Sequence, residues 1–328
     1  MKFKKEVLIL SAIIIVLGLY LWSQARNQGP ENLPKPTAVE SSKLNRLVIT
    51  KPDKKVLELQ KKDEKWFIEP QNYAADSIKV NNMTNALADL KVTALVSSSG
   101  SYERYDLTDA EKINVQAFAD KDKLRDLDIG RLAPTNQHTF VKLAGDTNVY
   151  HARGNLKRTF DQTVDGLRDK LVLSFEKDNI DTLELQKDDQ KLTLVKKTLP
   201  AEPDKSTEKK NSEKENTTPK TKTQWQDDQG RAIDQAAVAS LLRTLSHLEC
   251  DTFMADNAKG QLKDALWQVH LKSAQGQYGL SLFAPPDKQE KRSAGLSTTN
   301  PYAFLLAQTR VKSMETVMDR LLGKPKQK

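Results

Sequence analysis

A chain of 328 residues with 38% hydrophobic and 29% charged side chains is long enough for an anchor and two domains of ordinary size. Its net charge is +8, of which Lys2, Lys4, Lys5 and Glu6 supply +2, and the rest is scattered lysine with no arginine-rich stripe, so nucleic acid is not an expected partner. The single cysteine, Cys250, excludes an intrachain disulfide and reads as a small buried apolar residue.

In chain order, Val7 to Trp22 (VLILSAIIIVLGLYLW) is the first element, an uncharged run. As a helix it would cover about 24 Å, enough to span a bilayer core with flanking residues snorkelling. Lys2, Lys4 and Lys5 precede it and only Arg26 follows closely, so residues 1–6 are expected to be cytoplasmic and everything after the anchor extracytoplasmic. A cleaved signal peptide ending near Ser23-Gln24-Ala25 is the alternative, and it exports the same residues. Residues 23–43 hold three prolines without apolar periodicity and read as a linker.

From residue 44 the chain says nearly the same thing twice. Leu47–Ile49, Val56–Leu59 and Trp66–Ile68 alternate like three strands of a meander. Asp76 then suits the N-cap of a helix with Val80, Met83, Leu87 and Leu90 on one face. Strands follow at Ile113–Phe118, Leu124–Ile129, Phe140–Leu143 and Val149–Tyr150, and a helix of about 156–171 closes the unit. Asp234, Val238, Leu241, Leu245 and Leu248 repeat the first helical pattern at a constant offset of 158. Trp225 answers Trp66, and Leu262-Lys263-Asp264-Ala265 echoes Leu107-Thr108-Asp109-Ala110. The expected fold is therefore α+β: an N-terminal transmembrane helix, then two tandem repeats (44–175 and 176–322), each a mostly antiparallel sheet with amphipathic helices packed on it. Within the second, 198–223 is rich in Lys, Glu, Ser, Thr and Pro and reads as a disordered insertion. Pro285 to Pro301 reads as an extended loop, a last helix carries Val311 to Leu321, and 323–328 is a basic tail.

Catalytic signatures are not found. His138, His151, His247 and His270 show no metal-ligand spacing, and no cofactor or metal is expected. Ser97–Ser101 reads as a loop without a base, and Asp188-Asp189 and Asp227-Asp228 as turn acids. Four residues stand out as candidates for partner binding. Trp66 and Trp225 invite glycan stacking, although their matching strand positions favour sheet packing. Arg168 and Asp169, with Lys170, sit at the joint between repeats and suit either a salt bridge there or the docking of a partner.

Trp66 to Pro70, Ala75-Asp76, Tyr105 to Leu107 and Leu167 to Lys170, behind a single anchor, resemble the domain-of-unknown-function 4340 family. The likeness runs from about Leu44 to Phe175, with a fainter echo to residue 322. Asp106 stands where the family pattern has glycine, and the second copy lacks the proline after Trp225 and the Tyr-x-Leu element. The resemblance implies a bacterial inner-membrane protein accompanying transport systems similar to gliding-type ABC transporters, and it supplies no catalytic residues. The expectation is a non-enzymatic, periplasmic accessory or scaffold protein that docks an ABC permease or a periplasmic partner. An envelope glycan- or lipid-binding module is the alternative, and a hydrolase with paired carboxylates comes after it.

Overall fold

The computed structural model describes residues 13–23, 33–199, 222–287 and 289–323. Residues 13–23 form a helix (α1) whose apolar side chains stand exposed on all sides. Among the described residues no helix is long and apolar enough to cross a membrane, and residues 7–12 of the expected span lie outside them. The rest divides between Asp169 and Lys170 into two units.

The first unit runs β1 (Arg46–Thr50), β2 (Val56–Lys62), β3 (Lys65–Glu69), β4 (Tyr73–Ala74), α2 (Ser77–Ala88), β5 (Val92–Ser97), β6 (Ile113–Ala119), β7 (Asp122–Leu132), β8 (His138–Leu143), β9 (Val149–Arg153), α3 (Leu156–Phe160) and α4 (Val164–Leu167). The strands form one antiparallel sheet in the order β4-β3-β2-β1-β6-β7-β8-β9-β5. Strand side chains alternate between faces, so Leu47 and Ile49, Leu57 and Leu59, and Trp66 and Ile68 all turn inward and are buried. Val80, Met83 and Leu87 lie on one side of α2 and are each buried to 1% exposure or less, which completes the core. Asp76 starts α2 by accepting the amides of Ile78 (2.9 Å) and Lys79 (3.1 Å). A second apolar cluster gathers Leu107, Ala133, Phe140 and Val149 under Tyr102 and Tyr105. Asp106, at the family's glycine position, adopts the left-handed conformation (φ 55°) that glycine takes most easily.

The second unit opens with β10 (Leu171–Ser174). It continues with β11 (Ile180–Lys187), β12 (Gln190–Leu199), β13 (Lys222–Asp227), α5 (Gln235–Leu245), β14 (His247–Glu249), β15 (Thr252–Phe253), β16 (Trp267–Ser273), β17 (Gly276–Leu282), β18 (Arg292–Ser297), β19 (Phe304–Ala307) and α6 (Gln308–Leu321). Its main sheet has the order β13-β12-β11-β16-β17-β18-β19-β15, and β10 pairs separately with β14. Asp234 caps α5 through the Ala237 amide, and its carboxylate also pairs with Arg320 of α6. A satellite cluster of Phe283, Ala294 and Leu305 has Leu262 and Ala265 packed against it.

The sheet-rich α+β architecture agrees with the sequence, but several boundaries differ. The expected helix over 156–171 is two short helices, because Asp161 leaves the helical region (ψ 64°) and Thr163 is extended, starting afresh by capping Gly166. Leu171 then begins a strand paired with β14, which draws residues 171–175 into the second unit. Leu248 lies on that partner strand, beyond the end of α5, and so does His247. Cys250 is buried, as expected. The expected loop 285–301 contains β18, whose small residues Ser293, Ala294 and Gly295 hid the alternation. Of the expected insertion 198–223, residues 200–221 lie outside those described, while Thr198, Leu199, Lys222 and Thr223 belong to paired strands. The linker is fixed at its far end, where the Arg125 guanidinium donates to the Thr37 carbonyl.

Candidate functional site

Among the described residues each unit holds a cleft built against a candidate tryptophan. In the first unit a cleft of about 590 Å³ lies between β3 and α2. Trp66 forms its floor with only 6% exposure, because strand alternation sends the indole under α2 and leaves Lys65 outside. Asn81, Thr84 and Asn85 recur at helical spacing along the adjoining face of α2. Lys61 on the rim is paired with Glu64 at 2.7 Å. Asp169 lines the same cleft, held by its amide to the Ala74 carbonyl (2.8 Å). Arg168 packs its guanidinium 3.8 Å above the Tyr73 ring and bridges Ala75 through its backbone.

Trp66, Arg168 and Asp169, three of the four residues singled out in the sequence, therefore gather about one end of α2. Arg168 is buried to 6% exposure and acts there as packing, while Asp169 remains exposed. Trp225 stands in the second unit at 8% exposure and faces a separate cleft of about 390 Å³. Lys177, Lys196 and Arg243 surround that cleft, with Asp178 as its carboxylate. Neither indole offers an open face on the scale that sugar stacking uses, so both serve mainly as sheet packing.

Sequence reasoning missed the polar partners. Lys61, Lys65, Asn81 and Asn85 looked like ordinary solvated positions, and Lys196 and Arg243 like scattered basic residues. The available signal was Asn81, Thr84 and Asn85 at i, i+3 and i+4 beside the apolar stripe of α2, a polar strip on a face that is otherwise half covered.

Among the described residues no three His, Cys, Asp or Glu side chains cluster as metal ligands. Asp227, one of the adjacent acids, is buried, which pushes its carboxyl upward. The Arg231 guanidinium at 2.6 Å and the amides of Gln229 and Arg231 outweigh that and hold it below the usual carboxylate range. A general acid requires the opposite shift. His138 and His151, unrelated by spacing in the sequence, stack across β8 and β9 with ring centroids 5.5 Å apart.

The fold and its clefts define a sheet-rich α+β protein with two polar recesses at helix–sheet seams. The family model described as Domain of unknown function (DUF4340) matches residues 66–265, and the chain belongs to that family. No curated protein and no solved structure matches it.

Proposed function

We propose that this chain is a single-pass, membrane-anchored extracytoplasmic protein. In this reading it serves as an accessory or scaffold subunit of an ABC-type transport or envelope system, working by protein–protein contact and not by catalysis. The observation that carries it is the apolar run at residues 7–22. Where described, Ile13 to Trp22 (apart from Gly18) keep 51–65% exposure around the whole helix, so its apolar surface stays largely open on every side. A helix apolar on every face and unburied by protein has lipid as its natural solvent. The lysines before it set an N-terminus in the cytoplasm.

The two units are read as tandem copies of one domain. In support, strands 3-2-1-6-7-8-9-5 and 13-12-11-16-17-18-19-15 follow the same path. Asp76 and Asp234 cap corresponding helices, and Trp66 and Trp225 occupy corresponding strands. Leu107 and Leu262, the echoed leucines, each join a satellite cluster of their own unit. Such paired domains give a tethered protein two docking surfaces.

The test is affinity purification of the full-length chain from crosslinked native membranes, with residues 23–328 as control. Recovery of a permease or ATPase only when the anchor is present is the expected result. Recovery of no protein partner by either form sinks the reading. It would leave the binding-module alternative, which the amide-lined cleft at Trp66 favours and which titration with cell-wall fragments would examine.

A further inference from the structure

Beyond anchoring and partner contact, we propose that the cleft at Trp225 in the second unit is a binding site for an organic phosphate. Three cations, Lys177, Lys196 and Arg243, share it with one carboxylate, Asp178. That carboxylate is engaged by Lys177 at 3.4 Å. Lys196 Nζ donates instead to the Asp178 backbone carbonyl at 2.6 Å, which positions the ammonium without neutralising it. Among the described residues neither Lys196 nor Arg243 is ion-paired with a carboxylate. Two cations beside one recess, without a carboxylate partner among the described residues, repel each other, and a bound anion relieves that repulsion.

The corresponding cleft at Trp66 makes the contrast, which rests on the proposed equivalence of the two units. There Lys61 and Lys65 are balanced by Glu64 and Asp169. At the offset of 158, Asn85 and Thr84 of α2 become Arg243 and Leu242 of α5, so the second cleft exchanges an amide for a guanidinium and a hydroxyl for a leucine. The chemistry of the ligand follows from that exchange. Guanidinium presents paired donors that match two phosphate oxygens, with the lysines as point charges beside them. A volume of about 390 Å³ exceeds that of a bare ion, and Leu242 and the edge of Trp225 suit a small organic body.

Isothermal titration of the purified full-length chain in neutral detergent tests this with glucose 6-phosphate, glycerol 3-phosphate and uncharged glucose. The expected result is saturable binding of at least one phosphate ester, with no binding of glucose. Arg243→Gln and Lys196→Gln should each weaken it about tenfold, Arg243→Lys should weaken it less, and Lys65→Gln should leave it unchanged. Unaltered melting curves for the variants separate lost contacts from lost folding. Preference for glycerol 3-phosphate identifies a lipid headgroup as the source of the phosphate, and preference for glucose 6-phosphate a sugar phosphate. Absence of saturable binding by either ester, equal binding of glucose, or wild-type affinity in both glutamine variants overturns the proposal. None of these outcomes depends on whether a protein partner is recovered from membranes.

Discussion

Arg125 shows how one side chain can carry several elements. It is 7% exposed, and its guanidinium donates to the carbonyls of Leu87 and Leu124, both at 2.9 Å, and to that of Thr37. Leu87 lies in the last turn of α2, where carbonyls lack helical partners, so Arg125 caps that helix from β7. Burial lowers the affinity of the guanidinium for its proton without taking it out of the charged range. Arg125→Ala is expected to cost about 1–3 kcal/mol, since it takes the side-chain donor from the Leu87 carbonyl at the end of α2 and the hold on Thr37. Arg125→Lys should recover only part, and denaturant melts of the three proteins measure the difference. His151 yields a pH prediction. Burial, and then the neighbouring His138, hold its imidazole below the ordinary histidine range, and among the described residues its buried Nε2 has no hydrogen-bond partner. The unfolded chain, with a pKa of about 6.5, therefore takes up this proton before the folded chain does. Stability from this site is complete above that value and is lost as pH falls from there through the folded-state pKa. Melting temperature should decline over that window, and His151→Leu should flatten the decline. A steeper slope in the variant would count against the assignment. Neither role was legible in the sequence. Arg125 sits among charged residues in a strand that looked half solvated, and His138 and His151 meet only through the register of two strands.

At the scale of elements, what could be read was whatever is written locally. The alternation of Leu47 with Ile49 and of Trp66 with Ile68, and the stripe from Val80 to Leu87 behind Asp76, record burial on one face and survive as β1, β3 and α2. What was misread depends on partners distant in the chain. Leu156, Phe160, Val164, Leu167 and Leu171 have helical spacing, yet Leu171 is claimed by Glu249 across a strand pair, and the helix breaks to let it go. β18 escaped notice because its neighbours demand small side chains. Gly295 lies against the Phe304 ring, where an added Cβ would come within 2.4 Å of a ring carbon. The same constraint appears in β7, where a Cβ on Gly130 would collide with the Tyr105 carbonyl and press on Leu107. Gly130→Ala should therefore push the Tyr102–Leu107 segment off the sheet and cost about 1–3 kcal/mol. A loss of the Tyr102 hydroxyl bond to the Thr147 carbonyl (3.0 Å) would accompany it, visible as new hydrogen exchange or proteolysis at 102–107. Full stability in the alanine variant would mean that the backbone yields there at little cost.

For the whole molecule, sequence and structure speak about different parts of the proposed anchor. Composition argues for the span, because sixteen consecutive residues from Val7 to Trp22 carry no charge. The structure adds that the described portion, 13–23, presents its apolar side chains outward at 51–65% exposure. In water such a helix would leave contiguous apolar surface exposed, which soluble monomers rarely tolerate. In a bilayer the same exposure is favourable, at roughly 25 cal/mol for each Å² removed from water. The units that follow need no such solvent: each has its own buried core, from Leu47 to Phe160 in the first and from Val172 to Leu321 in the second. The chain should consequently stay in the membrane pellet through an alkaline carbonate wash, and deletion of residues 1–22 should release a folded protein with an unchanged melting curve. A charge in mid-run should act in the same direction. Leu17→Arg adds about 2.5–3.5 kcal/mol to insertion at a helix centre and should shift a measurable fraction to the soluble phase. If the intact chain washes off with carbonate, the exposed helix must be covered by protein instead, and the single-pass topology falls with it.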